Sequence, residues 1–151
     1  MELQKEKIRK ALMSFIRQDK LNLLSVDIYE PTISHRIAVY LEKLFPKYNI
    51  DCEYNRNLIG EKKDSDGQKI RPDIIIHKRL SNSNVVIIEI KKNGKDSKLA
   101  QKDISKLKKC MKGTLNYELG VFVGVLKKKI EICWIEKDGN QILETPEILL
   151  N

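Results

Sequence analysis

The chain has 151 residues, 41% of them hydrophobic and 33% charged, with a formal net charge of +8. That length suits one domain with a real core, and no apolar run approaches the length of a membrane span. Three cysteines (Cys52, Cys110, Cys133) stand far apart with no CxxC pair, which argues against a zinc site or a disulfide frame and points to buried thiols in a reducing compartment, the cytoplasm.

From Met1 to Lys20 charges occur throughout, so this segment does not read as a secretory signal. Residues 3–18 instead place Ile8, Ala11, Leu12 and Phe15 on one helical face. Glu30 to Phe45 reads as a second helix, with Pro31 in its first turn and Pro46 at its end. Tyr48 to Asn55 alternates Ile50, Cys52 and Tyr54 against Asp51, Glu53 and Asn55, as a strand does. Asn57 to Lys69 is polar, carries Gly60 and Asp66-Gly67, and reads as a loop. Ile70–His77 and Asn84–Lys91 are strands on either side of a Ser-Asn-Ser turn. Asp96 to Met111 is a helix whose stripe is Ala100, Ile104, Leu107 and Met111. Leu119–Leu126 and Ile130–Ile135 are the last strands, and the tail from Gln141 has no clear pattern.

A helix followed by α-β-β-β-α-β-β predicts an α+β protein, or a mixed central sheet flanked by helices. We expect one domain over residues 1–151, with a core from about 30 to 126 and residues 1–20 as an added N-terminal helix.

Two short strings carry the chemistry. Arg71-Pro72-Asp73 opens the apolar run Ile74-Ile75-Ile76, and Glu89-Ile90-Lys91 closes the run Val85-Val86-Ile87-Ile88. Alternation puts Arg71, Asp73, Ile75 and His77 on one face of their strand, and Val85, Ile87, Glu89 and Lys91 on one face of the next. A hairpin turning near Ser81 pairs Asp73 with Glu89, Ile75 with Ile87 and His77 with Val85. Opposed residues have Cβ atoms about 5 Å apart, so two carboxylates would repel unless a cation sat between them. Mg²⁺ or Mn²⁺ suits them, needing only one or two carboxylates beside water and phosphate. Such a metal would lower the pKa of a bound water, and Lys91 would steady the developing charge. The plainer alternative is that all three are solvated strand-end charges; the apolar runs, apolar on both faces as in a doubly covered sheet, weigh against it.

Pro72-Asp73, fifteen residues, then Glu89-x-Lys91 resembles the PD-(D/E)xK nuclease superfamily, the restriction-endonuclease-like fold. The resemblance covers roughly two-thirds of the chain, from Glu30 to Leu126, and its common core is αβββαβ. It implies a catalytic set of Asp73, Glu89 and Lys91, with Asp73, Glu89 and the Ile90 carbonyl as metal ligands. Many members add a glutamate from the first helix. With Ile37 at zero and 100° per residue, Ile33, Leu41 and Leu44 lie within about 40°, Glu30 at about 20° and Glu42 at about 140°. Glu30 is therefore the candidate and Glu42 the solvent-facing residue; the alternative for Glu30 is a charge placed on the helix dipole.

Between Lys91 and Lys112 there are nine lysines and two aspartates. On the helical wheel Lys95, Lys98, Lys102, Lys106 and Lys109 oppose the apolar stripe, which predicts a solvated face. Gln101 and Lys108 lie on its flank, and Lys92 and Lys95 adjoin the E-x-K string; with Arg36 these are the candidate phosphate contacts. His77, on the face of Asp73, is either a support for that carboxylate or a strand-end histidine.

The expectation is a Mg²⁺- or Mn²⁺-dependent phosphodiesterase, a nuclease hydrolysing DNA by metal-activated water with Glu30, Asp73, Glu89 and Lys91. Two alternatives stand beside it. One is a catalytically silent nucleic-acid-binding or assembly module of the same fold. The other is a junction-resolvase-like nuclease, a homodimer or a subunit of a larger defence or repair complex, for which the apolar stripe of the first helix offers a surface; the preferred role of that stripe is packing on its own domain.

Overall fold

The computed structural model describes residues 1–150. Helix α1 (Glu2–Phe15) runs through a π-helical turn (Ile16–Lys20) into α2 (Leu21–Ser25), and α3 spans Glu30–Leu44. Strand β1 (Asn49–Cys52) is followed by a small hairpin, β2 (Arg56–Asn57) and β3 (Gly60–Glu61), and then by β4 (Ile74–His77) and β5 (Asn84–Lys91). Helix α4 (Lys98–Cys110) precedes β6 (Leu119–Val125), β7 (Lys129–Asp138) and β8 (Gln141–Leu150).

Six strands form one mixed sheet in the order β1-β4-β5-β6-β7-β8. Only β5 and β6 are parallel, and α4 is the crossover that a parallel pair needs. Ile74, Ile76, Ile88 and Ile90 face a core built with α1 and α3. Ile75, Ile87, Phe122 and Ile135 face a second core under α4. The sheet is thus covered on both sides, which is why β5 and β6 read as unbroken apolar runs. Trp134 and Tyr117 are buried core residues.

Several expectations need correction. The first helix extends past residue 18, because the wider π turn rephases the chain and brings Leu23 and Leu24 against the core. Its stripe is consumed: Ile8, Ala11, Leu12 and Phe15 are buried in the chain's own core and offer no surface for pairing. Strand β1 stops at Cys52, since Glu53 has φ 51°. Cys52 is exposed, whereas Cys110 and Cys133 are buried, and all three are free thiols. The expected loop after Asn57 holds the β2–β3 hairpin, and the unpatterned tail is a ten-residue strand paired along β7. A register shift between Ile76 and His77 pairs His77 with Asn84, not Val85. Val85 consequently leaves the face of Ile87 and joins Val86 in the core under α1 and α3.

Among the described residues no helix is long and apolar enough to cross a membrane.

One close approach fixes the loop beyond β5. Gly124 lies opposite Lys91 in the parallel ladder, and a Cβ there would come within 2.7 Å of the Asn93 carbonyl oxygen. Gly124→Ala should therefore lower stability by about 1–3 kcal/mol. Thermal melts followed by circular dichroism measure the loss, and an unchanged midpoint would show that the Asn93 turn yields freely.

Candidate active site

The site forms where β4 begins and β5 ends. Pro72 has no N–H to extend the ladder, so strand pairing stops at Ile74–Ile88 and the expected Asp73–Glu89 pair is not part of it. The next residue outward, Asp73, continues the pairing with its side chain: Oδ2 accepts the Ile90 N–H at 2.7 Å. One carboxylate oxygen is thereby fixed to the backbone of the E-x-K string. Burial raises the Asp73 pKa, with the Ile90 N–H and the charges of Lys91 and Lys106 opposing it.

Glu89 lies in the central strand and is 2% exposed. Its side chain faces α4, where Lys106 Nζ stands 2.7 Å from Oε1. The Lys106 ammonium is thus the close partner of a buried oxygen. Burial pushes the Glu89 carboxyl up to about 8, Lys106 opposing and Asp73 reinforcing the shift. For Lys106 burial disfavours the charged form, yet Glu89, Asp103 and Asp73 outweigh it and its pKa is raised.

Lys91 shares the Glu89 side of β5 and, standing at its end, reaches two helices. Its Nζ lies 3.3 Å from Glu30 Oε1 on α3 and 3.6 Å from Asp103 Oδ2 on α4. Burial works against the Lys91 ammonium, but Asp103, Glu30 and Asp73 together hold its pKa above the ordinary value. Glu30 also accepts the Lys92 N–H through Oε2 at 2.8 Å. The first residue of α3 is thus tied to the end of β5 through the Lys91 side chain and to the residue after it through the Lys92 backbone. Glu42 is exposed on the outer face of α3.

Two residues of α4 belong to this cluster and were not expected there. Asp103 contacts Lys91 and stands 3.7 Å from Lys106, and its Oδ2 is buried without a hydrogen bond. Lys106, assigned from the sequence to the solvated face, points inward. The signal that would have found them is Cys110. With Ala100 at zero, Cys110 falls about 80° to the side where Asp103 falls at about 60° and Lys106 at about 120°. Cys110 is fully buried, so the covered arc of α4 is wider on that side than the four-residue stripe implied.

The remaining candidates are dispersed. Arg36 donates to Asp19 Oδ2 at 3.0 Å and lies beside Tyr40, joining α3 to the π-helical turn. Lys108 forms an ion pair with Glu144 of β8. Gln101 is exposed and donates to the Lys95 carbonyl at 2.7 Å. Lys95 pairs with Asp96, and its N–H donates to Glu131 at 2.8 Å. Lys92 stays at the rim, with Nζ 2.7 Å from Asp27 and 2.9 Å from the Ile28 carbonyl. His77 is at the other end of β4, 2.8 Å from Asp51, and is a strand-end histidine.

The donor set is one of hard oxygens: Asp73, Glu89 and the backbone at Ile90. Among the described residues no group of three or more His, Cys, Asp or Glu side chains is gathered as a metal cage. Two carboxylates completed by water and phosphate are enough for Mg²⁺ or Mn²⁺, and a donor set of hard oxygens alone fits that role. Lys106 must then release Glu89 Oε1.

No protein-family model, curated protein or solved structure matches the chain.

The raised Glu89 pKa has a definite sign. The folded protein keeps a proton that the unfolded chain loses near 4.5, so this stabilisation is full below that pH and is lost as pH rises through about 8. His77, whose pKa burial lowers, acts in the opposite direction at the acid end. The measure is therefore the difference between wild type and Glu89→Gln in metal-free buffer. From pH 5 to 8 the wild type should lose several degrees of Tm relative to the variant. A constant difference across that range would mean that Glu89 is not buried as described.

Proposed function

We propose that the chain is a metal-dependent phosphodiesterase of the restriction-endonuclease-like, PD-(D/E)xK type, which hydrolyses DNA in the cytoplasm. The order α3, β1, β4, β5, α4, β6 supports an αβββαβ core, with α1 before it and β7 and β8 after it. One observation carries the functional reading: Glu30, Asp73, Glu89 and Asp103 surround only two ammonium groups, Lys91 and Lys106. Four carboxyl groups against two ammoniums leave room for a dication, which would displace the proton that burial keeps on Glu89.

Asp73 and Glu89 would hold the metal, which supplies charge neutralisation at the phosphate and a more acidic water. Asp73 is positioned for this by the Ile90 N–H, which holds its Oδ2. Lys91, kept charged by Asp103 and Glu30, is set to stabilise the oxyanion that develops as the phosphodiester is attacked. Glu30 orients Lys91 and anchors the Lys92 backbone. Asp103 is a positioning residue, acting on Lys91 and Lys106 together.

A second reading, a silent binding module of the same fold, is favoured by the Lys106–Glu89 pair, which neutralises one proposed ligand internally. Titration calorimetry with Mn²⁺ separates the two. The enzyme reading expects heat that Glu89→Ala abolishes, whereas no heat from the wild type favours the module.

Lys91→Ala and Asp73→Ala should each reduce Mg²⁺-dependent cleavage of DNA by about 100- to 1,000-fold, with the circular dichroism spectrum retained. Full activity in purified Lys91→Ala protein would remove Lys91 from the mechanism.

A further inference from the structure

A cavity of about 700 Å³ opens beside the carboxylate–lysine site. Its apolar walls come from Leu21 and Leu24 of α2 and from Val125 and Leu126 at the end of β6, and Lys92, Asn93 and Lys127 line it as well. A second cleft of about 450 Å³ shares Lys92 and Asn93 with it. This cleft contains Glu30 and Lys91 of the site and adds Tyr29 and Leu99 as walls. The two form a trough that passes the site.

The walls are unusual for a surface. Tyr29 is 84% exposed, Leu21 73% and Leu99 53%. Water-facing apolar groups gathered along one groove call for an apolar ligand. The lysines add a second requirement: Lys92 and Lys127 stand on the cavity, and exposed Lys128 follows in the same turn. Asp27 faces Lys92 at 2.7 Å, so an anion arriving at Lys92 competes with an exposed carboxylate. A ligand that is flat and apolar on its faces and anionic along its edge meets both requirements.

We infer that this trough binds single-stranded DNA, with an unstacked base on Tyr29, a neighbouring base in the leucine-walled cavity and their phosphates against Lys92 and Lys127. The inference rests on the reading of the adjoining site as one for a phosphodiester, and it names the substrate class of that site. A duplex presents phosphates and sugars outward and keeps its bases stacked inside, so it has nothing to place against these walls. A single strand offers its base faces, and aromatic stacking tolerates any base sequence.

The test measures binding without cleavage. Fluorescence anisotropy in EDTA compares a short fluorescein-labelled oligothymidylate with a duplex of equal length, using wild type, Tyr29→Ala and Leu21→Glu. Both substituted residues are exposed, and circular dichroism verifies that the variants fold. The expected result is tighter binding of the single strand, weakened about tenfold by Tyr29→Ala and also weakened by Leu21→Glu. Duplex binding as tight as or tighter than single-strand binding overturns the inference, as does either variant binding the oligothymidylate like wild type. Cleavage with Mg²⁺ is read separately. Single-strand binding without cleavage removes the phosphodiesterase reading and leaves the trough standing; cleavage without a single-strand preference does the reverse.

Discussion

The structure turns on a carboxylate held inside a sheet that is covered on both faces. Glu89 is 2% exposed in the strand between β4 and β6. An isolated charge there would be very costly, so it is either protonated or paired. The surroundings supply both answers: the pKa is raised by burial, and Lys106 stands at one oxygen. Lys106 in turn lies near Asp103, Asp103 near Lys91, and Lys91 near Glu30. A chain of alternating charges thus runs from the sheet interior to the first residue of α3, each link compensating the previous one.

That chain depends on where the elements end. Strand β5 outlasts β4 at this end, so its last residues have no backbone partner on that side and take a side chain, Asp73, instead. The parallel neighbour β6 carries Gly124 opposite Lys91, and the absence of a Cβ lets the Asn93 carbonyl close over it. The turn after β5 is therefore held low, beside the start of α3. This brings the Lys92 N–H to Glu30. Small local events at strand ends, not large insertions, assemble the cluster.

Much of this was legible in the sequence. The unbroken apolar runs around Ile75 and Ile87 gave a central, doubly covered sheet, and their spacing gave the Ile75–Ile87 pairing that the structure contains. The wheel around Ile37 placed Glu30 inward and Glu42 outward. What escaped was tertiary in origin. The bulge at His77 leaves no mark in an alternating pattern. The π-helical turn after Phe15, which sets Leu23 and Leu24 against the core, has no Pro or Gly to announce it. On α4 the apolar stripe was drawn without Cys110, and a lysine that reaches inward from the edge of a helix looks, by composition, like one that reaches outward. Lys106 bridges that gap because its aliphatic stem crosses the boundary and its ammonium finds a buried acid.

The balance of charge gives the arrangement its sense. The chain as a whole carries +8, and its lysines favour a polyanion at long range. The cluster at the end of β5 has the opposite character, four carboxyl groups around two ammoniums, recessed beneath a lysine-bearing rim. A polyanion drawn to such a surface would be repelled by the recess unless a small cation entered first. The proposed metal would make the recess tolerable to a phosphate. Until it enters, burial keeps a proton on Glu89 and Lys106 stands beside the same group, and together they let the fold bear an acid in its core. A dication at Glu89 would have to displace both.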